Sequence, residues 1–150
     1  MRIETAQFGV QEVPDDSIIQ FPEGLPGFVS RNYVLLHHEE SPMVKWLQSA
    51  DDPSIALMTV EPADLMLEYQ PKVRPAELQA LDLDAAGDDL NCRVIIRRGD
   101  APNTLFVNLF APVFINIARK LAIQVPLVGS GYSVREVWPP VPVTPAVESA

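Results

Sequence analysis

The sequence contains few of the side chains that most often carry catalysis or bind metals. It has one cysteine and two histidines among 150 residues. A single cysteine cannot form an internal disulfide bond, which favours a reducing compartment. His37 and His38 are adjacent, and adjacent side chains on a strand point to opposite faces, so they cannot easily share one metal ion. We therefore predict a protein that is not an enzyme and has no catalytic residues, no metal site and no cofactor.

Long apolar runs are also missing. The longest spans residues 105–118, is interrupted by Asn108, Pro112 and Asn116, and is shorter than the roughly 18 residues that a membrane helix needs. The first ten residues lack the basic segment followed by an apolar one that marks a secretory signal. These absences predict a cytoplasmic protein that does not enter a membrane.

Positive charge is scarce in the first half of the chain. Residues 1–70 carry twelve acidic and three basic side chains, whereas residues 71–150 carry eight of each, so the whole net charge of −9 lies in the first half. A negative field repels phosphate groups and anionic lipids, which disfavours direct binding to nucleic acid. It is compatible with a basic protein partner, and equally with a surface that is charged only for solubility.

The dominant hydrophobic period is two, which is typical of strands. In residues 90–97, one face carries Leu90, Cys92, Val94 and Ile96, and the other carries Asn91, Arg93 and Arg97. We interpret the second face as solvated, so Arg93→Asp should be tolerated. Further short strands are predicted over residues 3–10, 17–21, 33–36, 44–49, 55–60, 104–110 and 121–127. The run 104–110 is apolar on both faces and should be central, so Val107→Asp should prevent folding.

Helix signals are few and short. Pro75 suits the first position of a helix, and Leu78 and Leu81 then fall on one face. Asp64 is placed to cap a shorter turn over residues 65–69. Many short strands with one or two short helices predict an all-β fold, a sandwich or a small antiparallel barrel-like domain, of which we favour the barrel.

The end of the chain differs in composition from the rest. It carries Pro139, Pro140, Pro142 and Pro145. Such a segment favours extended polyproline conformations and cannot build a core. We predict one domain over residues 1–138, followed by a Pro-rich disordered tail over residues 139–150.

One segment, residues 21–28 with the sequence FPEGLPGF, is too particular to be a generic loop. Its two prolines and two glycines fix a compact turn in which Leu25 and Phe28 can point inward or outward. Other distinctive pieces are WLQS at 46–49 with Asp52-Pro53, Asn108-Leu109, Ala111-Pro112, Ile115-Asn116, Ala122, Gln124, and Tyr132-Ser133-x-Arg135. In this order and spacing, the sequence resembles the FliW family of flagellar assembly factors from about residue 2 to residue 136.

The resemblance implies a function that composition could not give. It implies a non-enzymatic cytoplasmic regulator that binds flagellin in a chaperone-like complex. It also implies binding to CsrA, a small RNA-binding translational repressor, away from its RNA-contacting surface, so that repression of flagellin translation is relieved indirectly. The alternative is a dedicated flagellin export chaperone that does not bind CsrA. A third possibility is an enzyme, but the sequence contains no recognisable group of catalytic residues.

Nine residues are candidates for contact with a partner. The motifs nominate Glu23, Leu25, Phe28, Asn108, Pro112 and Asn116, and negative charge alone nominates Asp51, Asp52 and Glu61. Each has a structural alternative, because the loop could hold the barrel together and buried asparagines usually satisfy nearby backbone groups. Asp51-Asp52-Pro53 is also typical of a turn. If Asp51 and Asp52 only steer CsrA, reversing them to lysine should slow association and leave the fold intact.

Overall fold

The computed structural model describes residues 1–83 and 89–140, and these ranges form an all-β fold with one short α-helix and one short 3₁₀ helix. The strands are β1 (Arg2–Thr5), β2 (Gly9–Glu12), β3 (Ile19–Gln20), β4 (Asn32–His37), β5 (Lys45–Ser49), β6 (Ala56–Val60), β7 (Leu90–Arg98), β8 (Leu105–Val107), β9 (Val113–Asn116), β10 (Leu121–Gln124) and β11 (Glu136–Trp138). The 3₁₀ helix is Pro62–Leu65, and helix α1 is Pro75–Ala80. Short β-branched and aromatic runs separated by turn-forming residues favour this arrangement.

Seven of the strands close into a barrel. Their order is β7, β6, β5, β4, β3, β10 and β9, and β9 then pairs with β7. Closure is possible because β7 is nine residues long, so that its first half pairs with β9 while its second half pairs with β8. Around the ring, only β3 and β10 are parallel. The predicted small antiparallel barrel is confirmed, with this one parallel contact.

Two pieces of sheet lie outside the closed ring. Strand β8 extends the sheet from β7, and β11 pairs with β8. The β1–β2 hairpin contacts β5 through Phe8, whose ring meets Trp46 edge-on with centroids 5.5 Å apart. The prediction of one strand over residues 3–10 is wrong, because the chain reverses within it. The Thr5 hydroxyl accepts the Phe8 N–H and donates to the Gly9 carbonyl, which stabilises that reversal.

The apolar side chains form three clusters. The barrel interior holds Ile19, Phe21, Leu25, Tyr33, Leu47, Val113, Ile115 and Ala122. A first outer cluster, on β6, β7 and β8, holds Val60, Leu65, Val94, Ile96, Val107 and Leu109. A second outer cluster, where the end of α1 meets β9 and β10, holds Leu81, Phe114 and Val125. Because each Å² of buried apolar surface contributes about 25 cal/mol, these clusters are the main source of stability.

Strand β7 shows the predicted alternation, but its second face is only partly solvated: Arg97 is exposed, whereas Arg93 is not. The face predicted to be apolar packs against other residues, with Val94 in the first outer cluster and Cys92 against the second. The opposite face points into the barrel, where Arg93 is only 3% exposed. Its Nε donates to Thr59 Oγ1 at 2.8 Å, and its Nη1 lies 3.7 Å from Glu61 Oε1. The prediction that Arg93 is solvated is therefore wrong, because closure of the sheet turns this part of the face inward. We consequently no longer expect Arg93→Asp to be tolerated.

Two predicted boundaries also need correction. The strand predicted over residues 104–110 is limited to Leu105–Val107, because the chain turns at Asn108, whose Oδ1 accepts the Ala111 N–H at 3.0 Å. The turn predicted over residues 65–69 begins earlier, as the 3₁₀ helix, so Asp64 lies within the helix and does not cap it.

Helix α1 begins at Pro75 as predicted. The Glu77 carboxylate accepts a hydrogen bond from Arg74 Nε at 2.7 Å, and Leu81, just after the helix, is fully buried against Phe114 and Val125. With six residues, α1 is far too short for a bilayer, and the described residues include no other helix long and apolar enough to cross one.

Of the segment predicted as a tail, Pro139 and Pro140 are described and exposed. Residues 141–150 lie outside the described ranges, so the domain boundary at residue 138 and the tail stay predictions. The last strand before them is tied to the fold, because Trp138 Nε1 donates to the Leu65 carbonyl at 3.0 Å.

Candidate functional site

The FPEGLPGF segment forms a compact loop between β3 and β4 that is anchored inside the barrel. Phe21 is fully buried, and its ring meets Tyr33 edge-on at 5.1 Å between centroids. Gly24 and Gly27 have φ values of +70° and +86°, which are favourable for glycine and strained for other residues. The Phe28 N–H donates to the Leu25 carbonyl at 3.0 Å and closes a tight turn around Pro26 and Gly27. The positive φ of Gly27 favours glycine at the third position of this turn, and proline suits the second position.

The two apolar side chains whose direction the sequence left open point in opposite directions. Leu25 is 3% exposed and belongs to the barrel interior. Phe28 is 38% exposed, and Val29, which follows it, is 97% exposed. Since burying such side chains is favourable, their exposure on a rigid loop suits a surface that another protein covers.

Beneath the loop lies a pocket at one end of the barrel, which we call the mouth pocket. Its volume is about 410 Å³, and its lining is Leu25, Pro26, Phe28, Leu57, Ile95, Asn108, Phe110, Ala111, Gln124 and Pro126. Most of these side chains are apolar. The two amide side chains bind the backbone of Ala111: Asn108 Oδ1 accepts its N–H, and Gln124 Nε2 donates to its carbonyl. The pocket therefore offers an apolar cavity with few free polar groups, which fits an aliphatic side chain from a partner.

A second depression, of about 520 Å³, shares Phe28 with the mouth pocket and is here called the acidic depression. It is lined by Gly27, Phe28, Val29, Ser30, Asp51, Asp52 and Ile55. Asp51 Oδ2 accepts the backbone N–H groups of Arg31 and Asn32, each at 3.1 Å, so its carboxylate fastens the end of the loop. Asp51→Lys would break these bonds, so it would change the support of the loop as well as its charge; that charge reversal leaves the fold intact stays a prediction.

Asp51 should make stability depend on pH. Partial desolvation raises the pKa of this carboxyl, but the hydrogen bonds from Arg31 and Asn32 outweigh it and leave the pKa below its ordinary value. The stabilisation is thus present above the unfolded-state pKa of about 3.9, and it is lost as pH falls through the lower folded-state pKa. We expect that the free energy of unfolding depends less steeply on pH below about pH 4 in Asp51→Asn than in the wild-type protein. Denaturant titrations across this range measure it, and parallel curves for the two proteins would contradict the assignment.

Asp52 belongs to the turn that joins β5 to β6. Its Oδ1 accepts the N–H and the hydroxyl of Ser54, at 2.9 and 2.7 Å, and these bonds lower its pKa. The Ser49 hydroxyl accepts the backbone N–H groups of Asp51 and Asp52. This is the turn chemistry that the sequence allowed as an alternative.

Three other candidates serve the fold. Asn116 is buried, and it donates to the Leu81 carbonyl at 2.6 Å while accepting the Arg119 N–H at 3.1 Å. Pro112 is also buried, and its carbonyl accepts the Val125 N–H. Glu61 lies beyond the end of β6, four residues from Leu57 and so roughly 13 Å along the strand from the mouth pocket. Its Oε1 accepts a hydrogen bond from Asn91 Nδ2 at 2.7 Å.

The structure thus brings Leu25, Phe28, Asn108, Asp51 and Asp52 into one region, next to exposed Glu23 on the loop. Sequence reasoning missed Val29, although it directly follows the motif. It also missed Leu57 and Ile95, because strand alternation shows only that they share a face with interior residues, not that this face opens at the barrel mouth.

The reactive side chains do not form a grouping at this site. Burial raises the pKa of the Cys92 thiol to about 12, so it is a poor nucleophile at neutral pH. His38 stacks on Trp46 at 5.9 Å between ring centroids. Within residues 1–83 and 89–140, no cluster of three histidine, cysteine or acidic side chains is arranged to hold a metal ion.

Fold and site together define a small closed β-barrel with an apolar, loop-lined pocket at its mouth. The family model described as FliW protein matches residues 2–138, so the chain belongs to the FliW family. The family predicted from the motifs is therefore confirmed.

Individual relatives agree with this assignment. The chain is 35% identical to the flagellar assembly factor FliW of Syntrophus aciditrophicus over 136 residues, which cover 90% of this chain and 85% of that protein. It is 34% identical to the protein of the same name from Bdellovibrio bacteriovorus, covering 91% and 78%. A crystal structure of the flagellar assembly factor FliW superimposes with a TM-score of 0.82 at 28% identity, covering 91% of this chain and 95% of that one.

Proposed function

We propose that this protein is a non-enzymatic cytoplasmic regulator that binds flagellin and a CsrA-type RNA-binding regulator. Capture of the regulator would relieve repression of flagellin translation indirectly, without competition for its RNA-contacting surface. Membership of a family of flagellar assembly factors supports a role in flagellar assembly. The negative charge of the first half of the chain disfavours direct contact with RNA and suits a basic protein partner.

The observation that carries the proposal is the exposed apolar tip of a loop that is otherwise rigidly built. Phe21 and Leu25 fix the loop inside the barrel, while Phe28 and Val29 face solvent beside the mouth pocket. A preformed apolar surface loses little conformational entropy when a partner covers it. We therefore assign partner binding to Phe28, Val29 and the mouth pocket.

The test is the double variant Phe28→Asp/Val29→Asp, with Val10→Asp as its control. Val10 is a half-exposed valine on the β1–β2 hairpin and lines neither the mouth pocket nor the acidic depression. Two charges at a buried apolar contact should weaken affinity by at least about tenfold, which corresponds to about 1.4 kcal/mol. Calorimetric titrations with purified flagellin and with CsrA measure both affinities, and circular dichroism verifies that the variants fold.

Different results would reject different parts of the proposal. Binding of neither partner by the wild-type protein would reject the function, and binding of flagellin alone would favour an export chaperone. Equal affinities for the double variant and the control would move the site elsewhere. Excess RNA should leave a ternary complex with CsrA if relief is indirect, whereas complete displacement would show competition.

A further inference from the structure

Two arginines converge on one aromatic ring beside the mouth pocket. The guanidinium carbon of Arg135 lies 4.1 Å from the centre of the Phe106 ring, and that of Arg97 lies 5.1 Å from it. Both distances are within the range of a cation–π interaction, so the ring holds the two positive groups in position. The side chains come from β7 and from the residue before β11, and Phe106 lies on β8 between them.

The strand register places this pair next to the mouth pocket. Arg97 lies opposite Phe106, and since Met58 lies opposite Ile96, Leu57 comes next to Arg97 on the other side. Ile95 is two residues before Arg97 and therefore points to the same face, roughly 7 Å away. Leu57 and Ile95 are lining residues of the pocket. Arg97 and these lining residues thus lie on one face of the sheet, and Arg135 reaches the same face at the Phe106 ring.

Few acidic side chains neutralise these two arginines within the part of the chain that the structure describes. Among the described residues, their one ion pair joins Arg135 Nη2 to Asp100 Oδ2 at 3.7 Å, and both of these side chains are more than half exposed. Glu136 is next in sequence to Arg135, but on β11 it lies opposite Val107, the neighbour of Phe106, and so points to the other face of the sheet. Two like charges near one ring repel each other, and a carboxylate between them would remove that repulsion while accepting their N–H groups.

We propose that Arg97 and Arg135 bind a carboxylate of an acidic peptide segment in a protein partner, and that an apolar side chain next to that carboxylate enters the mouth pocket. Planar guanidinium groups suit this role, because they bind carboxylates through paired N–H groups. The inference rests on the proposed function in taking the ligand to be part of a protein partner. It adds that this partner segment is acidic, in contrast to the basic partner surface that the acidic first half of the chain suits.

The direct test uses a blocked peptide, acetyl-Ser-Leu-Glu-Ser-amide, and its glutamine counterpart as the control ligand. Titration is followed by NMR, with the backbone amides of Ile95 and Asn108 and the Nε–H groups of Arg97 and Arg135 as reporters. We expect the glutamate peptide to bind about fivefold more tightly than the glutamine peptide at low salt, as for an exposed charge pair. We also expect this preference to shrink as salt is added.

The variant Arg97→Met/Arg135→Met separates charge from packing, because methionine keeps an apolar cover over Phe106. It should bind the two peptides equally, and Arg98→Met, on the opposite face of β7, should keep the preference. Equal binding of both peptides to the wild-type protein, no detectable binding of either, or a preference that survives in the double methionine variant would overturn the proposal.

The same variant distinguishes this inference from the proposed function. Because the peptide titration needs neither flagellin nor CsrA, the preference for glutamate can hold even when neither protein binds, and then only the proposed function fails. If the proteins bind and the glutamate preference is absent, only the carboxylate site fails.

Discussion

Replacing Val107 by aspartate should leave the protein unfolded. Val107 is fully buried on β8, in the outer cluster with Val94 and Leu109. A carboxylate there would lose its hydration without gaining a cationic partner, which costs several kcal/mol against a typical total stability of about 5–15 kcal/mol. Far-UV circular dichroism and a thermal melt of the purified variant measure the outcome, and we expect no cooperative transition.

The matched control is Val128→Asp, which introduces the same change at a valine that is 85% exposed. It should alter the free energy of unfolding by no more than about 0.5 kcal/mol. If Val107→Asp melts at the same temperature as this control, Val107 is not buried in the first outer cluster.

Replacing Arg93 by alanine should lower the free energy of unfolding by about 2–4 kcal/mol, because it removes buried hydrogen bonds and leaves a cavity. The Arg93 side chain donates to the Thr59 hydroxyl and to the Thr59 carbonyl, at 2.8 and 3.3 Å. Burial lowers the pKa of its guanidinium, and the nearby Glu61 carboxylate opposes that shift. Denaturant unfolding monitored by tryptophan fluorescence gives the free-energy difference.

Two companion variants test the cause. Arg98→Ala removes an exposed arginine from the same strand and should change stability by no more than about 0.5 kcal/mol. Arg93→Met fills most of the volume but makes no hydrogen bonds, so it should recover only the packing part of the loss. Equal stabilities for Arg93→Ala and Arg98→Ala would mean that the Arg93 contacts contribute nothing net.

Local signals were sufficient for most of the strands and for the family. The period-two pattern over residues 90–97 predicts β7, and Pro75 correctly marks the first residue of α1. The FPEGLPGF motif could be interpreted as a compact loop, because proline and glycine restrict the backbone through interactions within a few residues. The turn at Asp51-Asp52-Pro53 could be predicted for the same reason, because its hydrogen bonds from Ser54 to Asp52 join residues only two positions apart.

Burial could not be predicted from the sequence where it depends on which face of a strand or loop packs against a distant part of the chain. Arg93 looks like a solvated residue by its alternation, and Leu25 and Phe28 look equivalent within their motif. Their exposures of 3%, 3% and 38% are set by distant strands and by the closure of the barrel.

What the sequence determined by itself was the class of fold, the family, and the presence of a compact loop after β3. Only the tertiary structure decided that the loop covers the mouth of the barrel, that Arg93 is buried at β7, and that Arg97 and Arg135 both contact the Phe106 ring. The physical reason is that alternation and turn propensity arise between neighbours in sequence. Burial and charge clustering arise instead from pairings such as β7 with β9, which join residues far apart in the chain.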